Sequence, residues 1–144
     1  MVHFTYVLMA VTLAIALFVA IALDLTDELQ HQATTDSLSG RHISKVSGKT
    51  AICGRLGGEE FAVLLPDHNE AAAQAIAEAI RSGFDAYGPA ITPAPTVSIG
   101  VAVSQSPATL SNLLSIADTA LYKAKDSGRN QVCVLPAISL NAAQ

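Results

Sequence analysis

Charged residues are scarce in this chain. Only 14% of its 144 residues are Asp, Glu, Lys or Arg, whereas 51% are hydrophobic, and the mean hydropathy is +0.42. Eight basic and twelve acidic residues give a formal net charge of −4. Because a nucleic-acid-binding domain normally presents a basic face, this balance argues against nucleic acid as a partner. The length fits one domain with an appendage.

Cysteine and histidine are also few, and their spacing offers no metal site. Cys53 and Cys133 both lie in apolar, strand-like runs. A cysteine in such a run is more often a small buried hydrophobe than half of a disulfide or of a metal pair. The four histidines, at positions 3, 31, 42 and 68, show no ligand spacing. We therefore assign them no role.

Much of the hydrophobic content lies in one run, residues 4–23, which contains no charged residue. As a helix rising 1.5 Å per residue, this run would span the roughly 30 Å hydrocarbon core of a bilayer. A cleaved signal peptide is the alternative, because Ala20-Ile21-Ala22 is similar to a cleavage site. Against it, the run exceeds the usual apolar region of such peptides, and no Lys or Arg precedes it. We expect a retained transmembrane helix over residues 1–24.

The flanks of this run indicate an orientation. Three basic residues follow it between positions 41 and 49, and none precedes it, which favours a cytoplasmic C-terminal domain. We therefore expect a single-pass protein of the inner, cytoplasmic membrane. Residues 25–35 are polar, with Leu25 and Leu29 four apart. They fit either a helical stalk that pairs two protomers or a plain solvated linker.

The most informative motif is Arg55-Leu56-Gly57-Gly58-Glu59-Glu60-Phe61, which stands between two apolar runs. Two such runs joined by Gly-Gly predict a β-hairpin, because glycine adopts the positive φ of that turn without strain. A turn without side chains lets a phosphate approach the backbone N–H groups, and carboxylates after it can hold a divalent cation against that phosphate. A tight hairpin followed by solvated acids is the simpler interpretation, and the spacing alone does not separate the two.

The rest of the chain alternates between helix and strand patterns. A turn and cap at Pro66-Asp67-His68-Asn69 precede a helix over residues 70–82. A buried strand follows over 96–103, in which Gly100 allows close backbone approach. A second amphipathic helix runs over 110–124 and is closed by Gly128, and a last strand covers 131–135. This order predicts an α+β fold with helices against one face of a mostly antiparallel sheet.

The hairpin motif resembles the signature of the GGDEF family, the diguanylate cyclases, in its Gly-Gly-Glu-Glu-Phe variant. Three further segments are similar to that family in the same order: Asp-Ser-Leu-Ser-Gly at 36–40, Thr-Val-Ser-Ile-Gly-Val-Ala at 96–102, and residues 117–130. We accordingly expect the domain over 36–135 and a tail over 136–144. The resemblance implies a palm-like cyclase fold. It also implies a homodimeric enzyme that condenses two GTP molecules into cyclic di-GMP with Mg²⁺ or Mn²⁺, as a bacterial second messenger.

The resemblance also implies roles for six residues. Glu59 would bind the metal and take a proton from the 3′-hydroxyl, with Glu60 as a second catalytic carboxylate beside it. The substrate phosphates would be bound by Gly57, Gly58, Lys125 and Arg129. Without the resemblance, Lys125 and Arg129 are ordinary cations at a helix C-terminus, where they complement the helix dipole.

The interval before the hairpin is too short for the family pattern. In intact members it holds a helix, the first core strand, a polar loop and another helix, whereas residues 41–56 offer sixteen positions and one helix takes about 11–12. The resemblance places the second metal-binding aspartate, and the Asn and Asp that recognise guanine, in the segment missing between about 41 and 50. The family's inhibitory Arg-x-x-Asp falls on Gly48 and Ala51. We expect impaired activity, and a non-catalytic module that binds nucleotide or a protein partner is the alternative.

Overall fold

The computed structural model describes residues 18–25, 33–57, 60–86, 96–104 and 108–137. From β2 onward these residues form the predicted β-hairpin, helix, strand, helix and strand, so the α+β class is confirmed. The elements, in chain order, are β1 (Phe18–Leu25), α1 (Ala33–Ser47), β2 (Ile52–Gly57), β3 (Glu60–Pro66), α2 (Glu70–Asp85), β4 (Val97–Val103), α3 (Leu110–Asp126) and β5 (Val132–Pro136).

The described strands form one sheet with the order β2-β3-β1-β4-β5. β1 is antiparallel to both of its neighbours, β3 and β4, and β2 is antiparallel to β3. β5 is parallel to β4, because α3 carries the chain back to the other end of the sheet between them. The predicted, mostly antiparallel sheet is therefore confirmed.

The predicted transmembrane helix is wrong. Its last residues belong to β1, where Ala22 pairs with Ala62 of β3 on one side and with Gly100 of β4 on the other. Within the described residues, none of the helices has the length and apolar character needed to cross a bilayer. Residues 1–17 of the predicted helix lie outside the described residues. The inner-membrane location inferred from this run stays an untested prediction.

The physical reason for the error is the position of β1 in the sheet. A central strand with helices over both faces has no solvated side, so its sequence is continuously apolar and does not alternate. Hydropathy alone cannot separate such a strand from part of an apolar helix. The central strand that the sequence analysis took as missing is thus supplied from upstream of α1.

Helices cover both faces of the sheet, which corrects the expectation of a single covered face. On β4, Ile99 and Val101 point to α1 and α2, in a core that includes Ile43, Ile80 and Phe84. The alternate positions point to α3, where Ala102 packs with Leu113, Ala117 and Leu121. All seven residues of β4 are consequently buried.

α1 is an integral part of this core. Ile43 is 1% exposed, and the Nε2 atom of His42 lies 3.1 Å from the carbonyl oxygen of Ile80 on α2. The His42 ring also meets Phe84 edge-on, with ring centroids 5.2 Å apart. The helix is followed by Gly48, whose φ of 91° lies in the left-handed region that ends helices. Residues 36–40, expected to open the domain, lie inside α1.

The predicted helix boundaries are largely confirmed. α2 begins at Glu70, because the Asn69 side chain accepts a hydrogen bond of 2.8 Å from the Ala72 N–H, and it continues to Asp85. Thr109 caps α3 in the same way, through the Asn112 N–H at 3.2 Å.

Gly100 makes the close approach that the sequence predicted. A Cβ atom there would collide with the backbone of α3. The predicted domain and tail boundaries, 36–135 and 136–144, stay predictions.

Candidate functional site

The site residues come together along one edge of the sheet. β1 ends at this edge, and β3, β4 and β5 begin there, because β1 is antiparallel to β3 and β4 while β5 is parallel to β4. The end of β2 lies at the same edge, and so does the C-terminal end of α3, which precedes β5. Residues far apart in the sequence thus become neighbours there.

The hairpin places part of the signature motif at this edge. Gly57 is the last residue of β2 and pairs with Glu60, the exposed first residue of β3. The register shifts between Arg55 and Gly57, which is an irregularity that bends the strand close to the turn. Gly58 and Glu59 lie outside the described residues. The roles given to all six site residues stay predictions.

Asp24 is the residue that the sequence analysis missed. In the sheet register its Cα pairs with Glu60 of β3 and with Ser98 of β4. The aspartate that the resemblance implies was taken as lost, because the interval between Gly40 and Gly57 is too short for the family pattern. The apolar run that ends at Leu23, directly before Asp24, was assigned to a membrane. The available signal was that the first charged residue of the chain follows this run directly.

The two predicted phosphate-binding cations lie at the end of α3. Lys125 is in the last turn of the helix and is half-buried, whereas Arg129 follows the helix and is exposed. The chain reverses at Gly128, which has a φ of 116°, and the Arg129 N–H then donates to the Ala124 carbonyl at 3.0 Å. This ending agrees with the predicted stop at Gly128.

The segment that follows α3 is tied to the first residues of β4. The Asn130 N–H donates to Ser98 Oγ at 3.2 Å, and the Ile99 N–H donates to the Gln131 carbonyl at 3.0 Å. Ser98 therefore contacts the segment that carries Arg129, while its own Cα pairs with Asp24. The acidic and basic parts of the site meet on β4.

The donor chemistry of the edge suits a hard cation. Asp24 and the two hairpin glutamates would offer carboxylate oxygens, and Mg²⁺ binds through one or two carboxylates together with substrate phosphates. Among the residues that the structure describes, no three His, Cys, Asp or Glu side chains cluster into a closed metal cage.

The cysteines lie outside this site. Cys53 is exposed on β2, so its expected burial is wrong, and Cys133 on β5 is half-buried. β2 is an edge strand, which explains why an apolar run leaves its side chains accessible. Partial burial still raises the pKa of the Cys53 thiol, and hydrogen bonds with Ser47 and Ser44 oppose that shift to a smaller extent.

Comparisons with known proteins decide the family. The family described as diguanylate cyclase, GGDEF domain, matches residues 24–131. The chain belongs to the GGDEF family. The match begins at Asp24, inside β1, whereas the resemblance noted in the sequence began at Asp36. The family match therefore reaches the last two residues of β1, Asp24 and Leu25.

Individual relatives agree. The chain is 44% identical over 89 residues to the probable diguanylate cyclase DgcT of Escherichia coli, which is 58% of this chain and 20% of that protein. It is 36% identical over 121 residues to the probable diguanylate cyclase DgcF of Escherichia coli, which is 77% of this chain and 38% of that protein. The chain thus spans about a fifth to two fifths of these relatives. It superposes with a TM-score of 0.67 and 25% identity on the active GGEEF domain of a diguanylate cyclase from Vibrio cholerae, covering 91% of this chain and 88% of that one.

Proposed function

We propose that this GGDEF domain is a diguanylate cyclase-type domain that condenses two GTP molecules into cyclic di-GMP. The observation that carries the proposal is the pairing of Asp24 with Glu60, which is the first residue of β3 and the last glutamate of the Gly-Gly-Glu-Glu motif. The expectation of impaired activity rested on two losses, that of the second metal-binding aspartate and that of the Asn and Asp that recognise guanine. Asp24 supplies an aspartate beside Glu60, so the first of these reasons for impairment is weaker than the sequence suggested.

Asp24 and Glu59 are the residues that would hold Mg²⁺ or Mn²⁺. Asp24 is the next-to-last residue of β1, Glu59 directly precedes β3 in the sequence, and their oxygens have the chemistry that these ions prefer. When bound, the ion supplies positive charge near the α-phosphate, where negative charge develops during transfer. Glu60, the residue paired with Asp24, adds a third carboxylate beside Asp24 and Glu59.

The chain's own residues would bind GTP and orient it. The backbone N–H groups of Gly57 and Gly58 would bind the phosphates, and Lys125 and Arg129 would hold the terminal phosphates that leave as pyrophosphate. Glu59 takes the proton of the 3′-hydroxyl as the oxygen bonds to the α-phosphorus and the bond to pyrophosphate breaks. Because each 3′-hydroxyl attacks the α-phosphate of the other GTP, two domains must face each other. We therefore infer that the working form is a homodimer.

A non-catalytic GGDEF module that binds nucleotide is the second candidate. One observation favours it: the seven residues 26–32, which join β1 to α1, read Thr-Asp-Glu-Leu-Gln-His-Gln and contain no asparagine. The resemblance implies an Asn and an Asp that recognise guanine, and these are expected close to the metal-binding aspartate. A site that binds triphosphate without fixing the base would place the 3′-hydroxyl poorly for attack.

The test is the purified chain with GTP and Mg²⁺ or Mn²⁺, with the product followed by chromatography. We expect cyclic di-GMP from the wild-type chain and none above background from Glu59→Ala. Glu70→Gln is the control, because Glu70 is an exposed carboxylate at the start of α2, next to the opposite edge of the sheet. Equal background from all three would refute catalysis. Binding of a non-hydrolysable GTP analogue by the same samples would then identify the module as a nucleotide-binding one.

A further inference from the structure

The segment after α3 has an unfavourable backbone conformation. Arg129 and Asn130 have φ values of 62° and 45°, so two consecutive non-glycine residues occupy the left-handed region. Asparagine tolerates this region, whereas arginine enters it at a cost. Such a conformation persists only where surrounding contacts determine it. The contacts of this segment therefore show what holds it in place.

Two side chains outside the segment hold Asn130. The Ser98 hydroxyl accepts from its backbone N–H at 3.2 Å, and Nη1 of Arg81 on α2 donates to its side-chain oxygen at 3.2 Å. Ser98 is 4% exposed, and the other residues of β4 are apolar. A buried hydroxyl on such a strand is expected to make a specific hydrogen bond. The Ser98 hydroxyl makes this bond with the backbone N–H of Asn130.

Arg81 is itself fixed in position. Its Nε donates to Glu78 at 2.8 Å and its Nη1 to Asp85 at 3.1 Å, both on the same helix. These two carboxylates orient the guanidinium so that its planar fork also reaches Asn130, which lies 49 residues further along the chain. Exposed ion pairs within a helix contribute little stability. The ion pairs of Arg81 with Glu78 and Asp85 therefore stabilise α2 only slightly.

We propose that Arg81 and Ser98 are positioning residues, which hold Asn130 so that Arg129 presents its guanidinium to the substrate phosphates. This inference rests on the proposed function, because it needs Arg129 to bind phosphate. Ser98 has a second connection to the site, since its Cα pairs with Asp24. One residue of β4 thus sets the spacing between the metal-binding end of β1 and the phosphate-binding segment.

The experiment measures the affinity for a non-hydrolysable GTP analogue with Mg²⁺ by calorimetry, using the full chain. Arg129→Ala should weaken binding about tenfold to a hundredfold, as loss of a charged hydrogen bond does. Arg81→Ala and Ser98→Ala should each weaken it about three- to tenfold, because residues in one network are coupled. In the Arg129→Ala background, Arg81→Ala should cause no further loss, since its effect passes through Arg129.

Ser104→Ala is the matched control for Ser98→Ala. Ser104 is 2% exposed and follows the opposite end of β4. Both variants should lower the urea midpoint of unfolding, but only Ser98→Ala should weaken binding of the analogue. If Ser98→Ala does not fold, the test rests on Arg81→Ala. The Arg81 side chain is 22% exposed, so its replacement should leave the domain folded.

The outcomes separate the two proposals. If the wild-type chain does not bind the analogue, or if Arg129→Ala binds it as the wild type does, the proposed phosphate role fails and the inference falls with it. If Arg129→Ala weakens binding while Arg81→Ala does not, only the inference is refuted. The same holds if the losses from Arg81→Ala and Arg129→Ala multiply in the double variant, because Arg81 would then act independently of Arg129.

Discussion

Replacing Gly100 by alanine should destabilise the fold through the contact between β4 and α3. The added Cβ would collide with the carbonyl oxygen of Ala117 and the backbone nitrogen of Leu121, and would lie 2.8 Å from Leu121 Cα. All three atoms belong to the backbone, so no side-chain rotation can relieve the contact. α3 would have to move away from the sheet, and Lys125 at its end would move with it.

The expected cost follows from this geometry. Ordinary contact for a Cβ begins at 3.4 Å, so even the most distant of the three atoms must retreat by several tenths of an ångström. Overpacking of a well-packed core costs about 1–3 kcal/mol. Because all three contacts are with backbone atoms, we expect the upper end of this range. Replacing a strand glycine by alanine returns about 0.5–1 kcal/mol, which leaves a net loss of about 2 kcal/mol. For a domain stable by about 5–15 kcal/mol, this is a large fraction.

Urea unfolding followed by circular dichroism measures the loss. With a slope of about 1–3 kcal/mol per molar urea, the midpoint should fall by about 1 M. Gly54→Ala is the matched control, because Gly54 lies on the exposed edge strand β2 and a Cβ there would meet nothing within 4 Å. The reasoning is refuted if Gly100→Ala and Gly54→Ala unfold at the same urea concentration.

Three further predictions concern the α2 cap, the edge strand and the segment after α1. Asn69→Ala should lower the free energy of unfolding by about 1 kcal/mol through loss of the cap, and an unchanged urea midpoint would contradict this. The raised pKa of Cys53 lowers its thiolate fraction at pH 7, so in a Cys133→Ala background iodoacetamide should react more slowly with the folded than with the unfolded chain. The difference between the two alkylation rates should shrink as the pH rises through the folded-state pKa. Equal rates for the folded and unfolded chain at pH 7 would contradict the raised pKa of Cys53. Because Gly48 and Ala51 replace the Arg and Asp of the inhibitory motif, added cyclic di-GMP should not slow its own formation, whereas strong inhibition would reveal another product site.

Local signals were sufficient for the second half of the chain. The apolar positions of α2 and α3 recur with helical spacing, and Asn69 and Gly128 mark helix ends by mechanisms that act within a few residues. The hairpin follows from Gly-Gly between two strand-forming runs. Each of these features depends on residues close in sequence, so reasoning from the sequence found all of them.

The wrong predictions for β1 and Cys53 share one cause. Whether a strand is buried depends on helices that are distant in the sequence and pack on the sheet. β1 is apolar because α3 packs on one face of the sheet and α1 and α2 on the other, and nothing within the run itself reports this. The run at 96–103 held the clue, because a strand without polar alternation needs cover on both faces. Cys53 is the opposite case. It lies in an apolar run that was expected to be buried, but β2 is an edge strand and leaves it exposed.

Asp24 was missed for the same reason. A carboxylate at the end of a central strand is recognisable as a site residue only when the strand is recognised. Its pairing with Glu60 depends on the antiparallel register between β1 and β3, which brings together residues 36 positions apart. The sequence therefore located the hairpin half of the site and not the strand half.

The metal dependence of cyclic di-GMP formation tests most directly whether β1 brings Asp24 into the site. Initial rates are measured for the wild type, Asp24→Asn and Glu70→Gln over a range of Mg²⁺ concentrations. We predict that Asp24→Asn loses about a hundredfold or more in rate at low Mg²⁺, as expected for losing a contact worth several kcal/mol at a phosphoryl-transfer site. Glu70→Gln should match the wild type. The same Mg²⁺ dependence and rate for Asp24→Asn and the wild type would contradict the account.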